Sequence, residues 1–165
     1  MKRLTADHDE QIETMYASLR SAYKAESEME QNLYWEAHLS SEPELRALLL
    51  RLSYDSLGHK AFLEHLFTKL RGFSYERSKV PSPETAPKFT DLKVDDLLSS
   101  IRSSEVRMME GYLQAKHGAS DEALKKIWLG EDPHIFRDMM EYLVNAERLH
   151  DTLLKAYLQN MKKGE

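Results

Sequence analysis

Apolar residues recur every three to four positions through four long stretches of this chain, the period of a helix with one buried face. The first stretch runs from about Asp9 to Leu39. Ile12, Tyr16, Leu19, Tyr23, Leu33 and Ala37 share its stripe with two acids, Glu26 and Glu30. The second opens at Ser41-Glu42-Pro43-Glu44, where Ser41 and Glu44 have capping-box spacing and Pro43 suits a first helical turn. Its stripe of Leu45, Leu48, Leu49, Leu52, Ser56, His59, Leu63 and Leu66 carries it to about Leu70, and Gly72 follows as a stop signal. The third runs from about Asp91 to His117 with Leu97, Ile101, Glu105, Met108, Tyr112 and Ala115 on one face. The fourth opens at Asp132-Pro133 and runs to about Met161, with Ile135, Met139, Leu143, Leu153 and Tyr157 as its predicted stripe. Between the last two, Ser120 to Leu129 predicts a helical turn or two. No stretch alternates as a strand does, so the pattern predicts one all-α domain over 1–165, with helices at about 9–39, 43–70, 91–117 and 133–161.

Residues about 72–91 carry Pro81, Pro83 and Pro87 and little periodicity. So long an irregular connection is uncommon in a compact domain and needs a reason. A crossover along a bundle supplies one: about 20 residues at roughly 3.3 Å each can span a helix of ~25 residues rising ~1.5 Å per residue. The two halves of the chain also resemble each other. Helices 2 and 4 both follow an acidic-Pro start, Glu42-Pro43 and Asp132-Pro133. Glu26 precedes His59 by 33 positions and Glu105 precedes His150 by 45, a difference about the size of the Gly118–Leu129 insertion. Two helical hairpins joined by a long crossover between helices 2 and 3 is the plan this implies.

Composition narrows the function classes. Apolar residues at 41% and charged residues at 31% of 165 suit a water-facing helical domain with a sizeable core. A net charge of −5 and the absence of any long basic run argue against nucleic acid as a partner. The chain has no cysteine, which excludes a disulfide framework, a thiolate metal site and a Cys nucleophile, and fits a cytoplasmic protein. Met1 to Asp7 leads into polar sequence without the apolar core of a signal peptide, and no apolar run reaches the ~18 residues a membrane span needs. There is no glycine-rich phosphate loop and no strand–helix alternation, so a nucleotide enzyme is not expected.

The chemistry concentrates on apolar faces. Glu147-Arg148-Leu149-His150 is a Glu-x-x-His step, and residues three apart on a helix share a face. A charge on a core face is costly without a partner, and several such carboxylates together call for a common counter-charge. Glu26, Glu105 and His59 occupy corresponding core positions on the other helices. Their oxygen and nitrogen donors suit iron, manganese or zinc. His8, His38, His65, His117 and His134 are expected at the surface or at helix ends. Tyr23, Tyr34, Tyr112 and Tyr157 are expected to fill core space, and Trp35 and Trp128 are candidates for a subunit interface.

This constellation resembles the ferritin-like superfamily, nearer rubrerythrin-type domains than true ferritins. That four-helix bundle takes one Glu from each of two helices and a Glu-x-x-His from each of the other two. The resemblance implies that Glu26 and Glu105 match the lone carboxylates, Glu147 and His150 one complete step, and His59 the histidine of the other. The chain departs from the pattern at Ser56, which stands where the family has a Glu. Asp55, four residues before His59, is the neighbouring substitute, and Glu30 is the alternative to Glu26. The metal ligands implied are therefore Glu26, Asp55, His59, Glu105, Glu147 and His150. Two irons are implied if the helix 2 half-site is competent. The implied activity is oxidation of ferrous iron, or reduction of peroxide or O2, with electrons from a separate donor and a homodimer as the assembly. The alternative is a helical-bundle interaction protein whose site is degenerate or holds one structural metal such as zinc, without catalysis.

Overall fold

The computed structural model describes residues 2–76, 93–130 and 132–164. Among them the chain forms helices α1 (Lys2–Leu39), α2 (Pro43–Phe67), α3 (Val94–Gly118), α4 (Asp121–Ile127) and α5 (His134–Gly164), and no strand. The all-α reading of the sequence therefore holds, and Ser120 caps the short α4 by accepting a hydrogen bond from the Ala123 amide. The start of α2 differs from expectation. Glu42, not Ser41, is the N-cap residue and its side chain makes no capping bond, although Pro43 does begin the helix. α2 also ends at Phe67, earlier than the pattern suggested. Gly72 instead takes a left-handed φ of 73° in the turn that follows, a conformation open to glycine at little cost. The crossover predicted at about 72–91 falls mostly on residues 77–92, outside the described residues.

Contacts between side chains fix the helix directions. Glu30, Glu26 and Tyr23 of α1 meet Ser53, His59 and Glu64 of α2 in turn, so these two helices run antiparallel. Arg102, Glu105 and Lys116 of α3 meet Asp151, His150 and Glu141 of α5, also antiparallel. Gln11 meets Ser120 and Ala22 lies opposite Gly111, which sets α1 antiparallel to α3. α2 and α3 consequently run the same way. The end of α2 is tied to the segment after α4 by two backbone bonds, Arg71 N–H to Ile127 O at 2.8 Å and Leu129 N–H to Lys69 O at 2.8 Å.

The core follows the predicted stripes on α1, α2 and α3 closely. On α5 it is rotated by one position. Phe136, Met140, Leu143, Val144 and Leu154 are buried, whereas Ile135 is 47% exposed and Met139 only half-buried. The reason is geometric: Phe136, Met140 and Leu143 stand eleven, seven and four residues before Glu147, on its own face of the helix. Trp128 is buried inside the chain against Phe136, ring centroids 6.0 Å apart, so it is core and not the surface marker expected. None of the described helices is long and apolar enough to cross a membrane.

The rotated stripe makes a direct test. Phe136→Ala should cost about 3–5 kcal/mol in equilibrium urea unfolding, the usual range for a buried aromatic. Ile135→Ala should stay within about 0.5 kcal/mol, as surface changes do. The reverse order would place the α5 core where the sequence pattern first put it.

Candidate metal centre

Four helices each bring a polar side chain to one level of the bundle. Glu26 comes from α1, His59 from α2, Glu105 from α3, and Glu147 with His150 from α5. All five are at most 5% exposed. Layers of apolar side chains lie on either side along the helices: Leu52 and Leu63 on α2, Ile101 and Met108 on α3, Leu143 and Leu154 on α5, all buried.

The arrangement is nearly symmetric about Glu147. The His59 Nδ1 lies 3.1 Å from Glu26 Oε1 and 3.0 Å from Glu147 Oε1. The His150 Nδ1 lies 3.1 Å from Glu105 Oε2 and 3.3 Å from Glu147 Oε2. The two rings stack, centroids 5.5 Å apart and planes 24° from parallel. Glu147 thus presents one oxygen to each imidazole, and each imidazole has a further glutamate of its own. Two groups result that could hold a metal ion: Glu26, His59 and Glu147, and Glu105, Glu147 and His150.

The supply of hydrogen bonds is short. Each Nδ1 can carry one proton, and it bonds Glu26 from His59 and Glu105 from His150. Both oxygens of Glu147 lack a directed hydrogen bond, although each lies within 3.3 Å of an imidazole Nδ1, and Glu26 Oε2, Glu105 Oε1 and the buried hydroxyl of Ser56 have no partner. An unsatisfied buried polar group costs about 1–3 kcal/mol, more when charged. Orphaned carboxylate oxygens converging with two imidazole nitrogens are the donor set that a divalent transition metal takes.

Without a metal, protons must balance the charge. Burial pushes the Glu105 carboxyl well above the usual carboxylate range, and neighbouring Glu147 adds to the rise. Burial likewise raises Glu26, against the hydrogen bond from His59. Burial acts the same way on Glu147, but protons presented by Glu105, His150 and His59 outweigh it and hold Glu147 below the usual range. For the imidazoles burial favours the neutral form, yet the acids around them prevail. Glu147 and Glu26 raise His59 to about 9, and Glu105 and Glu147 raise His150 to about 11. These directions favour charged imidazoles beside an ionised Glu147, with protons retained on the Glu26 and Glu105 side of the cluster.

The remaining candidates take clear places. Asp55 does not face His59; its half-exposed carboxylate lies 3.2 Å from the outer nitrogen, Nε2, of His150, with Arg51 at 3.8 Å. Neither metal-holding group includes it. Ser56 is 1% exposed, three residues before His59 as Glu147 is before His150. Glu30 is drawn aside into an ion pair with Lys60. Tyr112 has a part beyond filling space: its hydroxyl donates to Glu26 Oε1 at 2.5 Å, and burial holds its phenol well above its ordinary pKa. Its place on the Glu105 stripe, two turns on, was the signal. A surface pocket of about 240 Å³ between α3 and α5 reaches Glu105 and Glu147, with Arg148 and Asp151 among its lining.

No family model matches the chain, and no curated protein or solved structure matches it.

The charge balance predicts the pH dependence of the metal-free protein. An unfolded His titrates near 6.5. Both imidazoles titrate higher when folded, so their stabilisation is complete below about pH 6.5 and is lost as pH rises through about 9 for His59 and about 11 for His150. The raised Glu105 acts in the same direction; the lowered Glu147 stabilises above its unfolded pKa and loses that on acidification. The melting temperature of chelator-treated protein should therefore fall between about pH 7 and 9, and His59→Gln should reduce the slope. An equal slope in the variant would contradict this balance.

Proposed function

We propose that the chain is a ferritin-like metal protein that performs non-haem iron redox chemistry, oxidising ferrous iron or reducing peroxide or O2. One observation carries the reading: a buried Glu147 whose two oxygens face two imidazoles at 3.0 and 3.3 Å without a directed hydrogen bond, each imidazole backed by its own buried glutamate. The helix directions, with α1 and α5 antiparallel to α2 and α3, support the fold proposed.

Glu26, His59 and Glu147 would hold one ion, and Glu105, Glu147 and His150 the other. Bound iron would supply the electrons and the activation of the oxidant. The rest is the work of side chains. The Tyr112 hydroxyl fixes one oxygen of Glu26 and leaves the other free to bind. The apolar layers exclude water, which strengthens every charge interaction in the centre. The pocket at Glu105 and Glu147 offers small molecules an approach from solvent. A separate donor would be needed to return the centre to its reduced state after each turnover.

The second reading rests on Ser56, which removes a carboxylate from the α2 side. It is a mononuclear centre at Glu105, Glu147 and His150, holding zinc as a structural tie between α3 and α5. Chelation would then lower the melting temperature while oxidant consumption stayed at background.

Metal analysis after anaerobic loading with ferrous iron separates the outcomes. The redox reading expects up to two equivalents per chain and oxidant-dependent bleaching or colour change on exposure to peroxide or O2. Because Glu147 belongs to both groups, Glu147→Ala should abolish binding at both, while His150→Ala removes one. Retention below about a tenth of an equivalent by the unaltered protein, with no change on Glu147→Ala, would overturn metal binding altogether.

A further inference from the structure

The two halves of the centre differ in what surrounds their histidines. His150 presents Nδ1 to Glu105 and Glu147, and its outer nitrogen, Nε2, is 3.2 Å from the Asp55 carboxylate. An imidazole whose outer N–H is held by a carboxylate is fixed in tautomer and ring angle and is a stronger base at its inner nitrogen. Asp55 is in turn steadied by Arg51 at 3.8 Å. His59 has its inner nitrogen set the same way, but among the described residues no acceptor holds its outer nitrogen. On its own helix the position three residues earlier is Ser56, whose buried hydroxyl has no partner, whereas His150 has Glu147 at that spacing.

Both differences favour the same side. Each group draws its two glutamates from two helices and shares Glu147, but the Glu105–Glu147–His150 group has a braced histidine with a carboxylate three residues before it on its own helix. The Glu26–His59–Glu147 group shares its only α5 ligand, lacks a carboxylate from α2, and has an unbraced histidine. We infer that the two groups are unequal metal positions filled in order: Glu105–Glu147–His150 first and tightly, Glu26–His59–Glu147 second and weakly, with Asp55 the positioning residue behind the first and Ser56 the origin of the second's weakness. The inference rests on the metal-binding reading above and adds the order and its cause. Asp55 bonds across the bundle to the histidine of the opposite hairpin, so it strengthens the half that its own helix does not supply.

Titration of the full chain with Zn(II), and in parallel with Mn(II), followed by calorimetry and by metal analysis after dialysis, tests it without reference to activity. Two steps are expected, the first at least about tenfold tighter than the second. Asp55→Asn should weaken the first step by about 10–100-fold, the range for loss of a carboxylate behind a metal-bound histidine, and leave the second in place. Glu26→Gln should weaken only the second. Ser56→Glu should tighten the second towards the first. The metal-free melting temperature of Asp55→Asn, at a half-exposed position, is expected to change little; a purely structural Asp55 would lower it and spare the first binding step. Two equal steps, or an Asp55→Asn effect confined to the second step, would overturn the order while leaving metal binding intact. No binding by the unaltered protein would remove both.

Discussion

Three carboxyl groups meet two imidazoles at a level of the bundle from which water is nearly excluded. Two inward N–H groups and the Tyr112 hydroxyl cannot satisfy all the oxygens of three acids, and the shortfall falls most on Glu147, the acid placed between both rings. Taking a carboxylate out of water carries an effective penalty of several kcal/mol, which only close opposite charge offsets. The metal-free protein meets that requirement with shared protons. A divalent cation would meet it more completely, because it can bind oxygens that have no directed hydrogen bond within the chain. Most of the other buried side chains among the described residues are aliphatic or aromatic, so this layer is where the register of the four long helices matters most.

The fold supplies that register from both ends. A tie of two backbone bonds joins the end of α2 to the segment before α5, and Tyr16, Phe67, Phe73 and Tyr75 cluster nearby around α1. Ser53 donates to the Glu30 carbonyl at 2.7 Å and pins α2 against α1 one to two turns from His59. Arg102 and Lys116 hold α3 to α5 on either side of Glu105. A slide of one residue along any of these helices would turn a ligand about 100° away from the centre, since a helix turns once in 3.6 residues. The ion pairs at the rim contribute little individually to stability. Their use here is to hold the sliding coordinate.

Much of this was legible in the chain itself, for a physical reason. Glu105, Glu147, His59 and His150 fall on apolar stripes whose period is unmistakable, and an acid on such a stripe is either costly or needed. The α5 stripe was read one position off because Ile135 and Met139 are as apolar as Phe136 and Met140, and a wide apolar face does not reveal its centre. Glu147 and His150 themselves mark that centre. Asp55 could not be placed from spacing. Four residues before His59 reads as the same face, yet its short side chain reaches across to His150, which depends on how α2 meets α5. Glu30 and Glu26 stand one turn apart with equal claims by sequence; the fold separates them by pairing Glu30 with Lys60 and Glu26 with His59 and Tyr112. The capping box at Ser41 failed because the helix starts at Pro43, which makes Glu42 and not Ser41 the N-cap residue.

Glu147 is the proposed common ligand of two metal positions. An anomalous-difference map from crystals loaded with manganese or zinc, collected at the metal's absorption edge, tests this most directly. The account predicts a strong peak between Glu147, Glu105 and His150, and a weaker one between Glu147, Glu26 and His59. A loaded crystal with peaks only at surface acids, and with the two imidazoles still directed at Glu26, Glu105 and Glu147, would contradict it: the cluster would then be a proton-balanced core and not a metal centre.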